Sequence, residues 1–225
     1  MPPKAKYTRD EIIAIAYELV REQGAGALTA REVAKRLGTS PSPIFALFRD
    51  MEELKTAVAE AARARFRTYM AVAEQYTPAY KKRGMQWVLF AKEEPQLFRL
   101  LFMQHTDRVP GFAEMRRVTN FDCENDIAII TRDYHASMEQ AEHLFRQMWI
   151  YAYGLCVLCA TGVCAFSDAE IAQQLGEIFA GMIFVLRSGG TLVTKLQPAA
   201  RDSAEGAWIR SEHPDLRSSE PPNKT

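Results

Sequence analysis

The residues best suited to contact nucleic acid lie in the stretch TAREVAKRLGTSPSPIFALF, residues 29–48. Its second half places Ile44, Leu47 and Phe48 at the i, i+3, i+4 spacing of a buried helix face. The opposite face of that helix would carry Ser40, Ser42, Pro43, Phe45, Ala46 and Arg49. Hydroxyl, guanidinium and apolar groups on one exposed helix can hydrogen-bond base edges and contact thymine methyls in a major groove. The pattern therefore predicts a helix that reads DNA.

Two small residues predict how this helix joins the one before it. Ala34 is small enough for two helices to cross closely, and Gly38 tolerates the positive φ that ends the first helix. A short turn between two steeply crossed helices is a helix-turn-helix, whose second helix enters the major groove. A helical hairpin with no such function is the alternative.

Phosphate contacts are assigned to basic groups and helix starts around this motif. The candidate DNA contacts outside the second helix are Thr29, Arg31, Lys55, Lys4 and Lys6. Residues 1–56 hold nine Lys/Arg and eight Asp/Glu, so we expect modest non-specific affinity. The whole chain has 28 basic and 28 acidic residues, which excludes a generally basic nucleic-acid coat.

The elements that position these residues are all predicted to be helices, because no stretch alternates with a period of two. Ser, Thr or Asp followed three residues later by Glu or Gln marks helix starts at Thr8, Thr29, Asp50, Ser137 and Ser167. Ser40 is expected to cap the short second helix of the motif, with Pro41 in its first turn. We predict an all-α chain: a helix-turn-helix domain over 1–56, with its recognition helix at about 40–48, a helical ligand-binding and dimerisation domain over 57–190, and a disordered tail over 191–225.

Aromatic and methionine side chains concentrate between residues 85 and 155. Most must form core, but adaptable apolar side chains in a helical domain also suit an apolar ligand cavity. The candidate ligand-binding residues are Trp87, Phe90, Phe98, Phe102, Met103, Phe145, Trp149 and Tyr153. The histidines and cysteines lack the spacing of a metal site, and no nucleophile has an evident base partner. We therefore expect no metal, no cofactor and no catalytic residues.

Residues 148–166 form a run of 19 uncharged residues, long enough to suggest a membrane span. The run contains Gly154, Thr161 and Gly162, and no basic cluster flanks it. A helix that is apolar all round can equally be buried in a bundle or a dimer interface, and we expect the latter, with no membrane contact. The first residues, MPPKAKYTRD, lack the apolar region of a signal peptide, so a cytoplasmic location is expected.

Residues 8–56 resemble the DNA-binding domain of the tetracycline-repressor (TetR) family of bacterial regulators, through IIAIAYELVREQG, TAREVAKRLGTSPSPIF and FRDMEELK. The resemblance implies an all-α homodimer whose C-terminal domain binds a ligand and controls the N-terminal reader. Three positions depart from the family pattern. Phe45 stands where a tyrosine usually reaches a phosphate, Leu47 where a histidine is frequent, and Met51 where a phosphate-binding lysine is common.

The sequence therefore favours a ligand-responsive transcriptional regulator and, among regulators, a repressor. It would bind an inverted-repeat operator in double-stranded DNA as a homodimer, under control of a small apolar or amphipathic effector. One alternative is an all-α small-molecule-binding protein or enzyme with a non-functional helical hairpin. Another is a membrane-anchored regulator that uses the run at 148–166.

Overall fold

Every regular element in the computed structural model is a helix, within the residues that the structure describes: 7–103, 111–112 and 123–188. The helices are α1 (Arg9–Gln23), a 3-10 turn (Ala25–Ala27), α2 (Ala30–Leu37), α3 (Ser42–Leu47), α4 (Met51–Ala73), α5 (Ala79–Glu93), α6 (Pro95–Phe102), α7 (Cys123–Tyr134), α8 (Met138–Thr161) and α9 (Asp168–Arg187). The all-α prediction is confirmed. The tail predicted over 191–225 lies outside the described residues.

Helix starts follow the local sequence signals closely. Thr8, Ser137 and Ser167 each form a complete capping box with the residue three positions on. Asp50 accepts the N–H of Glu53 at 2.9 Å, but the Glu53 carboxylate accepts the N–H of Arg49 at 2.8 Å instead of closing a box. Each cap satisfies an N–H group that the helix itself leaves unpaired.

The N-terminal helices close around a small apolar core. Buried side chains from α1, α2, α3 and the first half of α4 meet there: Ile12, Ala16, Leu19, Val33, Leu37, Ile44, Leu54 and Val58. Helix α4 continues without interruption past residue 56, the predicted domain boundary, and buries Met70 and Ala73 at its other end. One helix therefore belongs to the packing of both halves.

Helix α5 lies at the centre of the C-terminal half and packs against α4, α6, α7, α8 and α9. The uncharged run identified in the sequence forms the second half of α8, which buries Met148, Ala152, Leu155 and Cys156 along one face. Helix α9 buries only Ile171 and Leu175. Among the described residues, the one helix long and apolar enough to cross a membrane is α9 (Asp168–Arg187), not the run in α8.

Candidate nucleic-acid interface and ligand cavity

Helices α2 and α3 are joined by a turn that depends on Gly38. Gly38 has φ 65° and ψ 38°, a left-handed conformation that costs glycine little. The N–H groups of Gly38 and Thr39 donate to the carbonyls of Lys35 (3.2 Å) and Ala34 (3.0 Å), which closes the end of α2. The chain thus leaves α2 in a tight turn and enters α3 within four residues.

Helix α3 begins at Ser42, one residue later than the start predicted from a cap at Ser40. Pro41 takes the capping position with helical backbone angles, and its carbonyl accepts the N–H groups of Ile44 (3.0 Å) and Phe45 (3.4 Å). The assignment of Ser40 as the cap was wrong by one residue, and no side-chain hydrogen bond caps α3. Ser40 lies in the turn and stays exposed.

The two faces of α3 separate as predicted into a buried and an exposed side. Ile44 and Phe48 are buried in the core of the three-helix body. The exposed side carries Ser42, Phe45 and Ala46, with Pro43 half-buried beside them, and the exposed Arg49 follows the end of the helix. Half of the Phe45 surface is accessible. We call these residues, together with Ser40, the reading face.

Most basic side chains beside the reading face already have a carboxylate partner. Lys55 lies 2.7 Å from Glu52, and Arg49 lies 3.0 Å from Asp50. Of the lysines and arginines within residues 7–58, Arg31 alone has no carboxylate of the described residues within 4 Å. Arg31 is exposed in the first turn of α2, next to the cap formed by Thr29. The predicted contacts Lys4 and Lys6 lie outside the described residues.

Arg9 holds the end of α3 in place, a contact that the sequence did not indicate. Its guanidinium donates to the carbonyl of Leu47 (2.9 Å), pairs with Glu53 (2.8 Å) and lies 4.2 Å above the Phe48 ring. Tyr7 adds a second tie from the N-terminal segment by donating its hydroxyl proton to the Leu37 carbonyl at 2.6 Å. The Arg9 bond ties the end of α3 to α1, and the Tyr7 bond ties the end of α2 to the segment that precedes α1.

A cavity of about 40 Å³ lies in the C-terminal half, between α4, α5, α7, α8 and α9. Its wall is largely apolar and includes Met70, Trp87, Phe145, Met148, Trp149 and Phe179. A cavity needs roughly 10–15 Å³ of such volume to hold one water molecule. The cavity as it stands therefore holds a few waters or methylene groups, and a larger ligand must displace the two methionines, which adapt easily.

Seven of the eight candidate ligand-binding residues divide between this cavity and a neighbouring aromatic cluster, and Met103 belongs to neither. Trp87, Phe145 and Trp149 line the cavity. Phe90 and Phe98 are fully buried, and Met103 is 37% exposed; none of the three lines the cavity. The aromatic cluster consists of rings in contact with one another beside the two tryptophans: Phe66, Phe90, Phe98, Phe102 and Tyr153, with Tyr153 stacked on Trp149 at 5.0 Å.

Polar groups at the cavity wall are few and mostly engaged. Arg83 and Asp126 form a buried ion pair between α5 and α7. Burial raises the pKa of Tyr80 well above its ordinary value, and the charge of Asp126 adds to the effect, so the phenol stays protonated. The buried indole N–H of Trp149 has no hydrogen-bond partner among the described residues. Apart from Lys81, the cavity thus offers neutral donors and one internally neutralised pair.

A second pocket of about 210 Å³ opens beside the cavity, and we call it the outer pocket. Its wall consists of Tyr76, Thr77, Pro78, Lys81, Lys82, Met85, Ala172 and Leu175. Lys81 and Leu175 line both spaces. Gly176 lacks a side chain where the Lys81 ammonium passes, 3.1 Å from where a Cβ would lie, so the lysine stem can lie flat against α9.

The two halves of the chain are tied by a buried carboxylate at the end of α5. Glu94 is 2% exposed and accepts hydrogen bonds from Arg21 of α1 (2.6 and 2.9 Å) and from Arg65 of α4 (3.1 and 3.2 Å). We call these three residues the Glu94 cluster. Charge-assisted bonds of this length are strong, and this cluster fixes α1 and α4 to the α5–α6 junction.

Metal and thiol chemistry find little support in the described residues. They hold no group of three or more His, Cys, Asp or Glu side chains that could bind a metal ion. The cysteines are free thiols. Burial raises the pKa of Cys156 well above its usual range and also raises that of Cys159, so neither is a ready nucleophile.

Comparison with known sequences confirms the resemblance seen in the N-terminal motif. Residues 12–58 match the family model of bacterial regulatory proteins of the tetR family. That range runs from α1 through the helix-turn-helix into the first third of α4. A comparison with curated proteins finds no significant match.

Two solved structures have a similar fold at low sequence identity. A transcriptional regulator from Rhodococcus sp. Rha1 superposes with a TM-score of 0.55 and 17% identity, covering 83% of this chain and 100% of that one. A protein described as a TetR-family transcriptional regulator, from Mesorhizobium loti MAFF303099, gives a TM-score of 0.56 and 19% identity over 80% of this chain and 98% of that one. The similarity of fold to these two structures extends beyond residues 12–58 into the C-terminal helices.

Proposed function

We propose that this chain, which carries a TetR-type DNA-binding segment at its N-terminus, is a cytoplasmic transcriptional repressor released from its operator by a small apolar or amphipathic effector. The exposed reading face on α3 carries the proposal, because Ser42, Phe45 and Ala46 protrude from a helix that Ile44 and Phe48 anchor in the core. Such a helix can enter a major groove without disturbing its own support. No enzymatic role is proposed.

Phosphate anchoring is assigned chiefly to Arg31 rather than to Lys55. Arg31 is the unpaired cation of the described reader, whereas Lys55 must first leave Glu52. An exposed ion pair costs little to break, so Lys55 retains a smaller role. Losing one phosphate contact lowers the slope of log affinity against log salt by about one unit.

The partner of each chain is proposed to be a second copy, bound through α8 and α9. Ile150, Ile178 and Phe184 are exposed on these two helices, with Phe184 73% accessible. A Cβ added at Gly154 or Gly181 would meet nothing within 4 Å, so the same surface has room for close helix approach. Two helices from each chain would form a four-helix interface and cover the apolar surface of α9 without a membrane. A two-fold dimer presents two reading faces, which calls for an inverted-repeat operator.

Effector control is proposed to pass through α4. Met70, near the end of α4, lines the cavity, and Leu54, in its first turn, is fully buried in the reader. A ligand that enlarges the cavity must displace Met70, which shifts α4 and changes the spacing of two reading faces. The coupling equals the ligand's differential affinity for the two states, typically about 1–3 kcal/mol.

The test is selection of DNA sequences by the full-length protein, followed by footprinting of the selected site. We expect an inverted repeat protected on one face of the duplex. Ala46→Pro should abolish specific binding, whereas the exposed substitution Ala71→Ser on α4 should leave it unchanged. A single half-site bound by a monomer would contradict the dimer, and failure to select any sequence would contradict the function itself.

Arg31→Ala and Lys55→Ala then separate the two anchors. Arg31→Ala should weaken binding to all sequences and reduce the salt slope by about one unit, with a smaller change for Lys55→Ala. A larger effect of Lys55→Ala than of Arg31→Ala would show that the Lys55–Glu52 ion pair does not hinder DNA binding and that Arg31 faces away from the DNA.

A further inference from the structure

The outer pocket combines basic side chains with an apolar floor, and this combination indicates the chemistry of its ligand. Lys81 and Lys82 are neighbours at its wall, and the other lining side chains include Tyr76, Met85 and Leu175. Neither lysine has a carboxylate within 4 Å among the described residues. Lys82 instead lies 4.7 Å above the Tyr76 ring. Two uncompensated cations at the mouth of an apolar space favour an anion there.

Lys81 also connects this mouth to the inner cavity. Lys81 lines both spaces, as does Leu175. Lysine commonly buries its methylenes along apolar surface while its ammonium remains at the water boundary. A ligand whose charged end meets the ammonium would therefore direct its uncharged end along the stem, toward Trp87 and Trp149.

The inner cavity would reject a second charge. The one acid on its wall, Asp126, is already paired with Arg83, and most of the remaining wall is aromatic or aliphatic. An unpaired charge buried there would lose its hydration without compensation. The ligand must therefore be polar at one end only.

We propose that the effector is an amphipathic anion, with a carboxylate at Lys81 and Lys82 and an apolar body between Trp87, Phe145, Trp149 and Phe179. This inference rests on the proposed function, since it names the chemical class of the effector. The shared chemistry is an acid head on an apolar body, and either an alkyl chain or a fused aromatic ring can supply that body.

The experiment uses full-length Trp208→Phe protein, so that the fluorescence comes from Trp87 and Trp149. The probes are decanoate and its neutral isostere decanamide, then 2-naphthoate and 2-naphthamide, each kept below its aggregation concentration. We expect at least one acid to bind about tenfold more tightly than its amide, the effect of one charge-assisted contact. The pair with the larger preference identifies the alkyl or the aromatic body.

Charge removal tests the position of the head group. Lys81→Gln with Lys82→Gln should abolish the preference for the acid and leave amide binding within about twofold, since the apolar body still fits. Lys92→Gln removes a charge from the other end of α5, where it pairs with Asp168, and should leave the preference intact. Equal affinity for acid and amide, no binding of any probe, or equal loss of both in the double variant would each overturn the proposal.

Operator binding measured in the same samples separates this inference from the function on which it depends. Specific operator binding, together with release by amides as effective as release by acids, would refute the anionic class and leave the regulator standing. Acid-selective binding with no operator site found would refute the regulator and leave an anion-binding protein.

Discussion

Glu94→Gln offers the sharpest test of how the two halves are held together. The substitution keeps the size of the side chain but removes its charge and turns one acceptor into a donor that faces a guanidinium. Glu94 is 2% exposed, whereas its partners Arg21 and Arg65 are 41% and 42% exposed and can regain water. The cost is therefore less than the 3–5 kcal/mol of breaking a fully buried pair, and we expect about 2–3 kcal/mol.

In a chain of this size each kcal/mol lowers the unfolding temperature by roughly 2–4 °C, so the variant should melt about 4–12 °C below the parent. Circular dichroism at 222 nm during heating measures this directly. The matched control is Glu93→Gln, the same change at the neighbouring residue. Glu93 is exposed and accepts the Tyr69 hydroxyl at 2.6 Å, a bond that the Gln carbonyl can also accept.

We therefore expect Glu93→Gln to melt within about 1 °C of the parent, as surface substitutions usually do. Combining Glu94→Gln with Arg21→Gln or Arg65→Gln should give less than the sum of the single effects, because the partners share one carboxylate. If Glu94→Gln also melts within about 1 °C of the parent, the Glu94 cluster contributes nothing measurable to stability, and its burial does not strengthen the link between the two halves.

Three further predictions concern other parts of the molecule. Phe184→Glu places a charge on the exposed apolar face of α9 and should therefore convert a dimer into a monomer. Light scattering coupled to gel filtration measures the mass, and an unchanged mass would refute that interface. The backbone N–H of Glu53 and the Arg49 guanidinium hold the pKa of Asp50 below its usual value near 4, so its contribution to stability is present at neutral pH and is lost as the pH falls through that lowered pKa. Asp50→Asn should accordingly lessen the fall of unfolding temperature between pH 5 and 3, and an unaltered profile would contradict the cap. Among the described cysteines, Cys164 alone is exposed, so a thiol reagent should label it first in the native protein. Mass spectrometry identifies the labelled residue, and faster labelling at a buried cysteine would contradict the packing of α8.

The sequence predicted those features of the fold that depend on neighbours along the chain. Capping boxes at Thr8 and Ser167 need only residues three positions apart, and both are present. Ser40 was misassigned because the adjacent Pro41 could occupy either the cap or the first turn, and only the carbonyl bonds of the folded helix distinguish the two. Local signals locate helices well and their first residue less well.

Contacts between distant residues could not be read from the sequence in the same way. Arg21 and Glu94 are separated by 73 positions, so nothing in their spacing suggested a pair. Aromatic composition correctly identified a region where rings cluster, but composition does not reveal which side of a ring faces a space. Trp87 lines the cavity, while Phe98 is fully enclosed by protein.

The continuity of α4 sets a rule for combining this reader with another sensor. A helix advances 1.5 Å and turns about 100° per residue, so a junction placed within α4 fixes both the separation and the angular phase of what it joins. One inserted residue near Arg63, midway between the buried Val58 and Met70, would rotate one end of the helix by about 100° relative to the other. Four inserted residues would return the phase to within about 40° while lengthening the helix by about 6 Å. Hybrid biosensors built on this scaffold should therefore tolerate exchanges that preserve the register of α4 and lose signal transmission when that register changes.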